Sequence, residues 1–189
     1  MNIPLIFVSL SICVWIFPPF KQYKSDFFYF FLIQALSDPI KLVALYLLHI
    51  HPQIFSLAFA LFLISSLMQN CKQIYFFIIL SILSTVVFLC YSFDRNVLIF
   101  SLIGTHLIIV LILVNFLIKY IEKTKAFNLF LLLLISYEFI SIIKYIAGVL
   151  SYEQGAISYY LAGAIQILFG ILFSFISIKT KDFPILSKE

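Results

Sequence analysis

Charged residues are scarce in this chain of 189 residues. Only 11% of the residues are Asp, Glu, Lys or Arg, and 64% are hydrophobic. Soluble domains contain about 25% charged and about 45–50% apolar residues, so a water-soluble fold is excluded. The 12 Lys and Arg residues are scattered singly and form no basic stripe, which excludes nucleic acid as a partner. We therefore expect a membrane protein whose main partner is the lipid bilayer.

Glycine, cysteine and catalytic motifs are also scarce. Five glycines argue against a phosphate-binding loop, and no G-x-S-x-G or H-E-x-x-H motif occurs. Cys13, Cys71 and Cys90 are far apart and have no His or Cys at metal-ligand spacing, which predicts neither disulfides nor zinc. His106 likewise lacks a second ligand nearby and is interpreted as a hydrogen-bonded histidine of the bundle. We therefore expect no metal, no cofactor and no catalytic residue of a known motif.

Long apolar runs are what the sequence contains instead. A helix needs about 20 mostly apolar residues to cross a bilayer, and charged and turn residues divide the chain into seven such runs. These segments 1 to 7 cover about residues 3–17, 27–50, 53–69, 74–91, 97–118, 128–150 and 156–178. Pro18-Pro19 is expected to end segment 1, and Asp38-Pro39 to interrupt segment 2. The predicted fold is a single all-α domain over residues 1–189, a bundle of seven transmembrane helices.

The lysines between the segments predict the orientation of the bundle. Cytoplasmic loops close to span ends carry an excess of Lys and Arg. Nine cations lie on the side reached after an odd number of segments, namely Lys21, Lys24, Lys72, Lys119, Lys123, Lys125, Lys179, Lys181 and Lys188. The loops of the other side carry only Arg95. We expect the N-terminus outside and the C-terminus in the cytoplasm, with the chain in the cytoplasmic (inner) membrane.

The order of the segments indicates an internal duplication, in which segments 1–3 correspond to segments 5–7 and segment 4 joins them. Ser37-Asp38-Pro39-Ile40 in segment 2 and Tyr137-Glu138-Phe139-Ile140 in segment 6 follow a Lys-rich loop at equal distance. Some transporters are built from two parallel repeats. Such a 3+1+3 repeat is a hypothesis about the fold and does not establish a function.

Four ionisable residues lie well within predicted segments: Asp38, Lys41, Glu138 and Lys144. Insertion of an Asp, Lys or Arg at a helix centre costs about 2.5 to 3.5 kcal/mol, so such residues usually pair or face the bundle interior. Asp38 and Glu138 each follow the cytoplasmic start of their segment by about twelve residues, or about 18 Å of helix, which places both near the midplane. Lys144 is close enough to the outer end of segment 6 to snorkel to the interface.

Two interpretations of these charges stay open. In the first, Asp38 and Lys41 neutralise each other at i and i+3, and Glu138 is protonated or bonds to another helix. In the second, Asp38, Lys41 and Glu138 surround a polar cavity that serves as a ligand site, a proton relay or a charge-locked switch. Pro39 favours the second slightly, because a proline frees a backbone carbonyl near the pair.

Helical spacing assigns further candidates to polar faces. Gln34 shares a face with Asp38 and Lys41. Segment 7 carries a stripe of small and polar residues: Tyr159, Gly163, Gln166, Gly170, Ser174 and Ser177. Gly163 and Gly170 are interpreted as sites of close helix packing, whereas Tyr159 and Gln166 could equally line a polar cavity. The candidate residues for binding or proton relay are Asp38, Lys41, Glu138, Lys144, Gln34, Gln166 and Tyr159.

Residues 162–173 in segment 7 contain two glycines seven residues apart, Gly163 and Gly170, in an apolar helix. This run resembles the last span of a family of small, uncharacterised seven-helix bacterial integral membrane proteins. The mid-span acid Asp38 and the short outer link after segment 2 are similar as well. The resemblance implies a seven-helix membrane protein and lends no established activity.

The function predicted from these features is a non-enzymatic sensing or partner-binding membrane module without a cofactor. Its partners would be the bilayer, a membrane or signalling protein, and a small-molecule ligand. A small-solute or proton-coupled transporter is the first alternative, because of the 3+1+3 order and the charges within the membrane. A lipid-directed enzyme is the second, because two carboxylates within the membrane are able to act as an acid/base pair.

Overall fold

The computed structural model describes residues 3–47, 49, 52–68, 71–90, 95–149 and 152–176. All regular structure in these residues is helical, which confirms the all-α class. The helices are α1 (Ile3–Trp15), α2 (Phe17–Lys21), α3 (Phe28–Leu47), α4 (Pro52–Leu67), α5 (Cys71–Cys90), α6 (Arg95–Thr124), α7 (Leu129–Ala147) and α8 (Tyr152–Phe175). Each predicted segment contains one long helix. The predicted ends at residues 50, 69, 91, 150 and 178, and Ser177, lie outside the described residues.

Three predicted boundaries or breaks are wrong. Pro18-Pro19 does not end the first segment: α1 ends at Trp15, and α2 carries both prolines in its first turn, where a missing N–H removes no helical hydrogen bond. The expected break at Asp38-Pro39 does not occur, because α3 continues through Pro39 while packed between α1 and α4. Helix α6 runs on to Thr124, since the Lys and Glu residues of this stretch favour a helix.

Six helices form a closed ring. Each contacts the next in the order α1, α3, α4, α6, α7 and α8, and α8 returns to α1. Helix α2 packs beneath this ring against α1, α3 and α8. Among the described residues, α5 contacts α4 alone, so it lies outside the ring. The interior of the molecule is therefore the space that the six ring helices enclose.

The outer faces of the helices are apolar. Phe100, Leu107, Leu111 and Ile118 are 47–61% exposed, and their spacing places them on one face of α6. Four stretches are long and apolar enough to cross a membrane: Phe28–Leu47, Asn96–Thr124, Leu129–Ala147 and Ile157–Phe175. Because exposed apolar surface of this extent is unfavourable in water, these helices indicate a membrane location.

Aromatic side chains close one end of the ring. The aromatic floor consists of Trp15, Phe31, Phe130, Tyr137, Phe169 and Phe173. The ring centroid of Trp15 lies 5.0 Å from that of Tyr137 and 6.4 Å from that of Phe173. Phe31, Phe130 and Phe173 contact one another within 5.9 Å. Since the floor draws residues from α1, α3, α7 and α8, it ties together both sides of the ring.

The two glycines expected to allow close helix packing, Gly163 and Gly170, differ in how near the neighbouring helix lies. A Cβ added at Gly170 would lie 2.7 Å from Cγ1 of Val14 and 3.2 Å from Cε2 of Trp15, so glycine lets α8 approach α1 at the floor. At Gly163 an added Cβ would meet no described atom within 4 Å apart from those of its own stretch of helix. The packing expectation for Gly163 is therefore wrong, because this position faces open space within the ring.

Candidate functional site

A cavity of about 370 Å³ occupies the ring above the aromatic floor. All six ring helices contribute to its wall, each from the end farther from the floor. Its charged wall residues are Asp38, Lys41 and Lys144, and its polar ones include Ser11, Ser56, Tyr145, Tyr159 and Gln166. Phe7, Val8, Leu42, Leu45, Ile99 and Ile167 supply apolar surface. The cavity thus combines charged groups with an apolar wall, as small-molecule sites do.

Asp38 and Lys41 form an ion pair on the α3 side of the cavity. Lys41 Nζ lies 2.6 Å from one carboxylate oxygen of Asp38, and Ser11 Oγ donates to the other at 2.6 Å. The pair follows from the i, i+3 spacing, which places the two side chains one above the other on a helix. Both side chains keep about a quarter of their surface exposed, 29% for Asp38 and 24% for Lys41. The pair is therefore accessible from the cavity.

Lys144 faces the same cavity from α7. Its Nζ donates to Gln166 Oε1 at 2.9 Å and lies 5.0 Å from the ring centroid of Tyr159. Gln166 Nε2 in turn donates to Ser141 Oγ at 2.9 Å, which connects α8 to α7. Lys144 thus has polar and aromatic partners inside the ring, on the neighbouring helix.

Glu138 is separated from the other charges. Its side chain is fully buried and its Oε2 lies 2.6 Å from Nδ1 of His106 on α6. Glu138 lines neither cavity, and its Oε1 has no hydrogen-bond partner within the described part of the chain. The structure therefore does not bring Glu138 together with Asp38 and Lys41 on one cavity wall.

His106 is a hydrogen-bonded histidine of the bundle, as the sequence predicted, but its partner Glu138 was not predicted. A usable signal was present, because His106 is the one histidine in the middle of a predicted segment, whereas His49 and His51 lie at the C-terminal end of segment 2. A buried acid needs a partner within the membrane. Which helix supplies that partner depends on the ring order, which the sequence alone does not reveal.

A second, smaller cavity of about 50 Å³ lies between the main cavity and the aromatic floor. Asp38, Lys41 and Gln166 line both cavities, and Gln34 and His106 line only the smaller one. Gln34 Nε2 donates a hydrogen bond to the hydroxyl of Tyr137 in the floor. The polar groups therefore continue inward from the main cavity and stop at the floor.

Within the described residues, no group of three or more His, Cys, Asp or Glu is placed to hold a metal ion. Comparison with models of known protein families, with curated proteins and with solved structures finds no significant match. The cavity and its charges are therefore the features from which a function can be inferred.

Proposed function

We propose that this protein is a multi-pass protein of the cytoplasmic membrane that binds a small amphiphilic molecule in its main cavity. It would act as a non-enzymatic sensing or partner-binding module. The observation that carries this proposal is the cavity itself, about 370 Å³ in volume with three charged side chains beside an apolar wall. A ligand that binds one arrangement of these helices more tightly than another shifts the population toward that arrangement, and this is how a sensing module responds.

The position of the lysines supports the proposed orientation. On α6, Ile99 lines the cavity, and Lys119 follows twenty residues later, about 30 Å along the helix axis. Lys21 and Lys24, beside the start of α3, likewise lie at the opposite end of the bundle from Tyr46 in the cavity wall. By the positive-inside rule, the lysine end is cytoplasmic and the cavity opens toward the outer half of the membrane. Lys179, Lys181 and Lys188 lie outside the described residues.

The ring order supports the duplication. Helices α1, α3 and α4 are consecutive in the ring, as are α6, α7 and α8, and α5 lies outside between the two halves in sequence. This is the arrangement expected of a 3+1+3 repeat with seven spans. Membership of the family of small seven-helix bacterial membrane proteins stays a prediction, and it is based mainly on the resemblance of residues 162–173 in α8.

The aromatic floor favours binding over transport. A solute that passed through the ring would have to displace Trp15 and Tyr137, which are 3% and 1% exposed. A small-solute or proton-coupled transporter is the second candidate, and the smaller cavity favours it. That cavity extends the polar path inward to His106, which contacts Glu138, and a histidine and a carboxylate are able to relay a proton.

The lipid-directed enzyme has less support. It rests on Asp38 and Glu138 acting together as acid and base. In the structure, the Asp38 carboxylate contacts Lys41 and the Glu138 carboxylate contacts His106. Glu138 lines neither cavity.

Filling the cavity tests the proposed function. Gly163→Leu adds a side chain where the cavity leaves open space, and Gly104→Leu is a matched control because Gly104 also has open space around it but faces outward on α6. In lipid nanodiscs, we expect amphiphiles to raise the melting temperature of the wild type and of Gly104→Leu, and to lose this effect in Gly163→Leu. Equal shifts in all three proteins would contradict a ligand site in the cavity.

Cysteine accessibility distinguishes sensing from transport. In a variant without the three native cysteines, Gln166→Cys is expected to react with a membrane-impermeant thiol reagent added outside. Gln34→Cys, beneath the cavity, is expected not to react from the cytoplasm. Labelling of both positions from both sides would instead support alternating access and transport. A sensing module also predicts a stable complex with another membrane protein, and mild-detergent purification without any partner would count against it.

A further inference from the structure

The main cavity carries an excess of positive charge. Lys41 and Lys144 face one carboxylate, Asp38, and that carboxylate is bonded to Lys41 at 2.6 Å. Lys144 instead contacts the neutral amide of Gln166 at 2.9 Å and the ring of Tyr159 at 5.0 Å. In the part of the chain that the structure describes, no carboxylate oxygen lies within 4.0 Å of Lys144 Nζ.

Glu138 does not neutralise this charge. Its Oε2 is taken by His106, and its side chain is fully buried. It precedes Lys144 by six residues on α7, about 9 Å along the axis, and lies outside the cavity wall. The other wall residues of α1, α4, α6 and α8 are uncharged. Within the described residues, one ammonium group thus faces the cavity without a carboxylate in contact.

A lysine within a membrane usually pairs with an opposite charge, so a cavity that presents Lys144 without one favours an anion. Gln166 and Tyr159 hold the ammonium group in place, which reduces the entropy lost when a ligand binds. The wall of the same cavity also carries apolar side chains, among them Val8 on α1 and Ile167 on α8. The cavity therefore fits a single negative charge attached to an apolar chain.

We infer that the ligand of the main cavity is an amphiphile with one negative charge, whose anionic group binds Lys144 and whose chain lies along the apolar wall. This inference deepens the proposed function and rests on it. A fatty-acid carboxylate and the phosphodiester of a lysolipid share this chemistry. One negative charge complements the one cavity ammonium group that, among the described residues, has no carboxylate in contact.

A series of probes with one chain and three head groups tests the charge of the ligand. Decanoate, decanol and decylammonium are added to the full-length protein in nanodiscs, and the melting temperature is followed against probe concentration. We expect decanoate to act at a concentration at least tenfold lower than the other two, since hydrogen bonds to charged groups are stronger than neutral ones. Acetate, which lacks the chain, is expected to have no effect at the same concentrations. Lysophosphatidylglycerol then distinguishes a phosphodiester from a carboxylate.

The variants assign the preference to Lys144. Lys144→Met is expected to remove the tenfold preference for decanoate, and Lys144→Arg to retain it. Lys119→Met, at the exposed inner end of α6, is the control for loss of a lysine elsewhere and is expected to behave as the wild type. If Lys144→Met does not accumulate, the comparison of the three head groups on the wild type and on Lys144→Arg decides.

Three results would overturn the inference in distinguishable ways. If decanol or decylammonium equals decanoate on the wild type and Gly163→Leu abolishes all shifts, the cavity binds amphiphiles but the anionic preference is wrong. If every probe shifts the wild type and Gly163→Leu equally, or shifts neither, the proposed ligand site fails together with the inference. An unchanged preference in Lys144→Met would also refute the role of Lys144.

Discussion

The contact between Glu138 and His106 makes a quantitative prediction about stability. Nδ1 of His106 lies 2.6 Å from Oε2 of Glu138, and the two residues are 7% and 0% exposed. Hydrogen bonds between helices in a membrane protein average about 0.6 kcal/mol and reach about 1.7 kcal/mol, whereas a bond to a charged group contributes about 1.5 to 3 kcal/mol. A double-mutant cycle separates these ranges.

We expect Glu138→Met to lower the free energy of unfolding by about 2 kcal/mol, because it leaves Nδ1 of His106 without its partner. His106→Leu is expected to lower it by about 3 kcal/mol, because both oxygens of a buried acid then lack a partner. The double variant should lose no more than His106→Leu alone, which gives a coupling energy of about 2 kcal/mol.

Unfolding in detergent micelles, titrated with sodium dodecyl sulfate and followed by helical circular dichroism, measures these free energies. Glu122→Met is the control, since Glu122 is exposed near the C-terminal end of α6 and its loss should change stability by less than about 0.5 kcal/mol. Additive losses in the double variant, with a coupling energy at or below about 0.6 kcal/mol, would refute the predicted coupling.

Three further predictions concern the Asp38–Lys41 ion pair, the close approach at Gly170 and the orientation of the chain. Asp38→Asn and Lys41→Met should each reduce the amount of folded protein, and the double variant should recover it because neither partner then remains unpaired; a double variant worse than both would refute a structural pair. Gly170→Ala should destabilise by about 1 to 3 kcal/mol in the same titration, because its Cβ would overlap Val14, whereas an effect near zero would show that α8 can withdraw from α1. Reporter fusions at Glu153 and at the C-terminus should report outside and cytoplasm respectively, and a cytoplasmic signal from both would refute the orientation.

The positions of the helices could be predicted because the bilayer imposes simple requirements. A span needs about 20 apolar residues and must satisfy its own backbone hydrogen bonds, so hydropathy locates it. Each of the seven predicted segments contains a helix. The prolines misled the prediction because their effect depends on context. Pro18-Pro19 lies in the first turn of α2, and Pro39 is held within α3 by neighbouring helices.

The sequence could predict which polar residues belong to the candidate site, but not which of them contact one another across helices. Helical periodicity assigned Gln34, Asp38 and Lys41 to one face, and the i, i+3 spacing predicted the ion pair that the structure contains. Periodicity describes one helix at a time. The contact of Glu138 with His106 depends on α6 and α7 being neighbours in the ring.

The sequence by itself determined that the surroundings of this protein are apolar, how many apolar segments it has and which few polar residues lie inside them. These features depend only on composition and local spacing. Only the tertiary structure decided which of those residues meet. Lys144 faces the cavity because α8 places Gln166 and Tyr159 beside it, and Gly163 faces open space while Gly170 meets Trp15. These contacts arise from the order and rotation of packed helices, which no single segment contains.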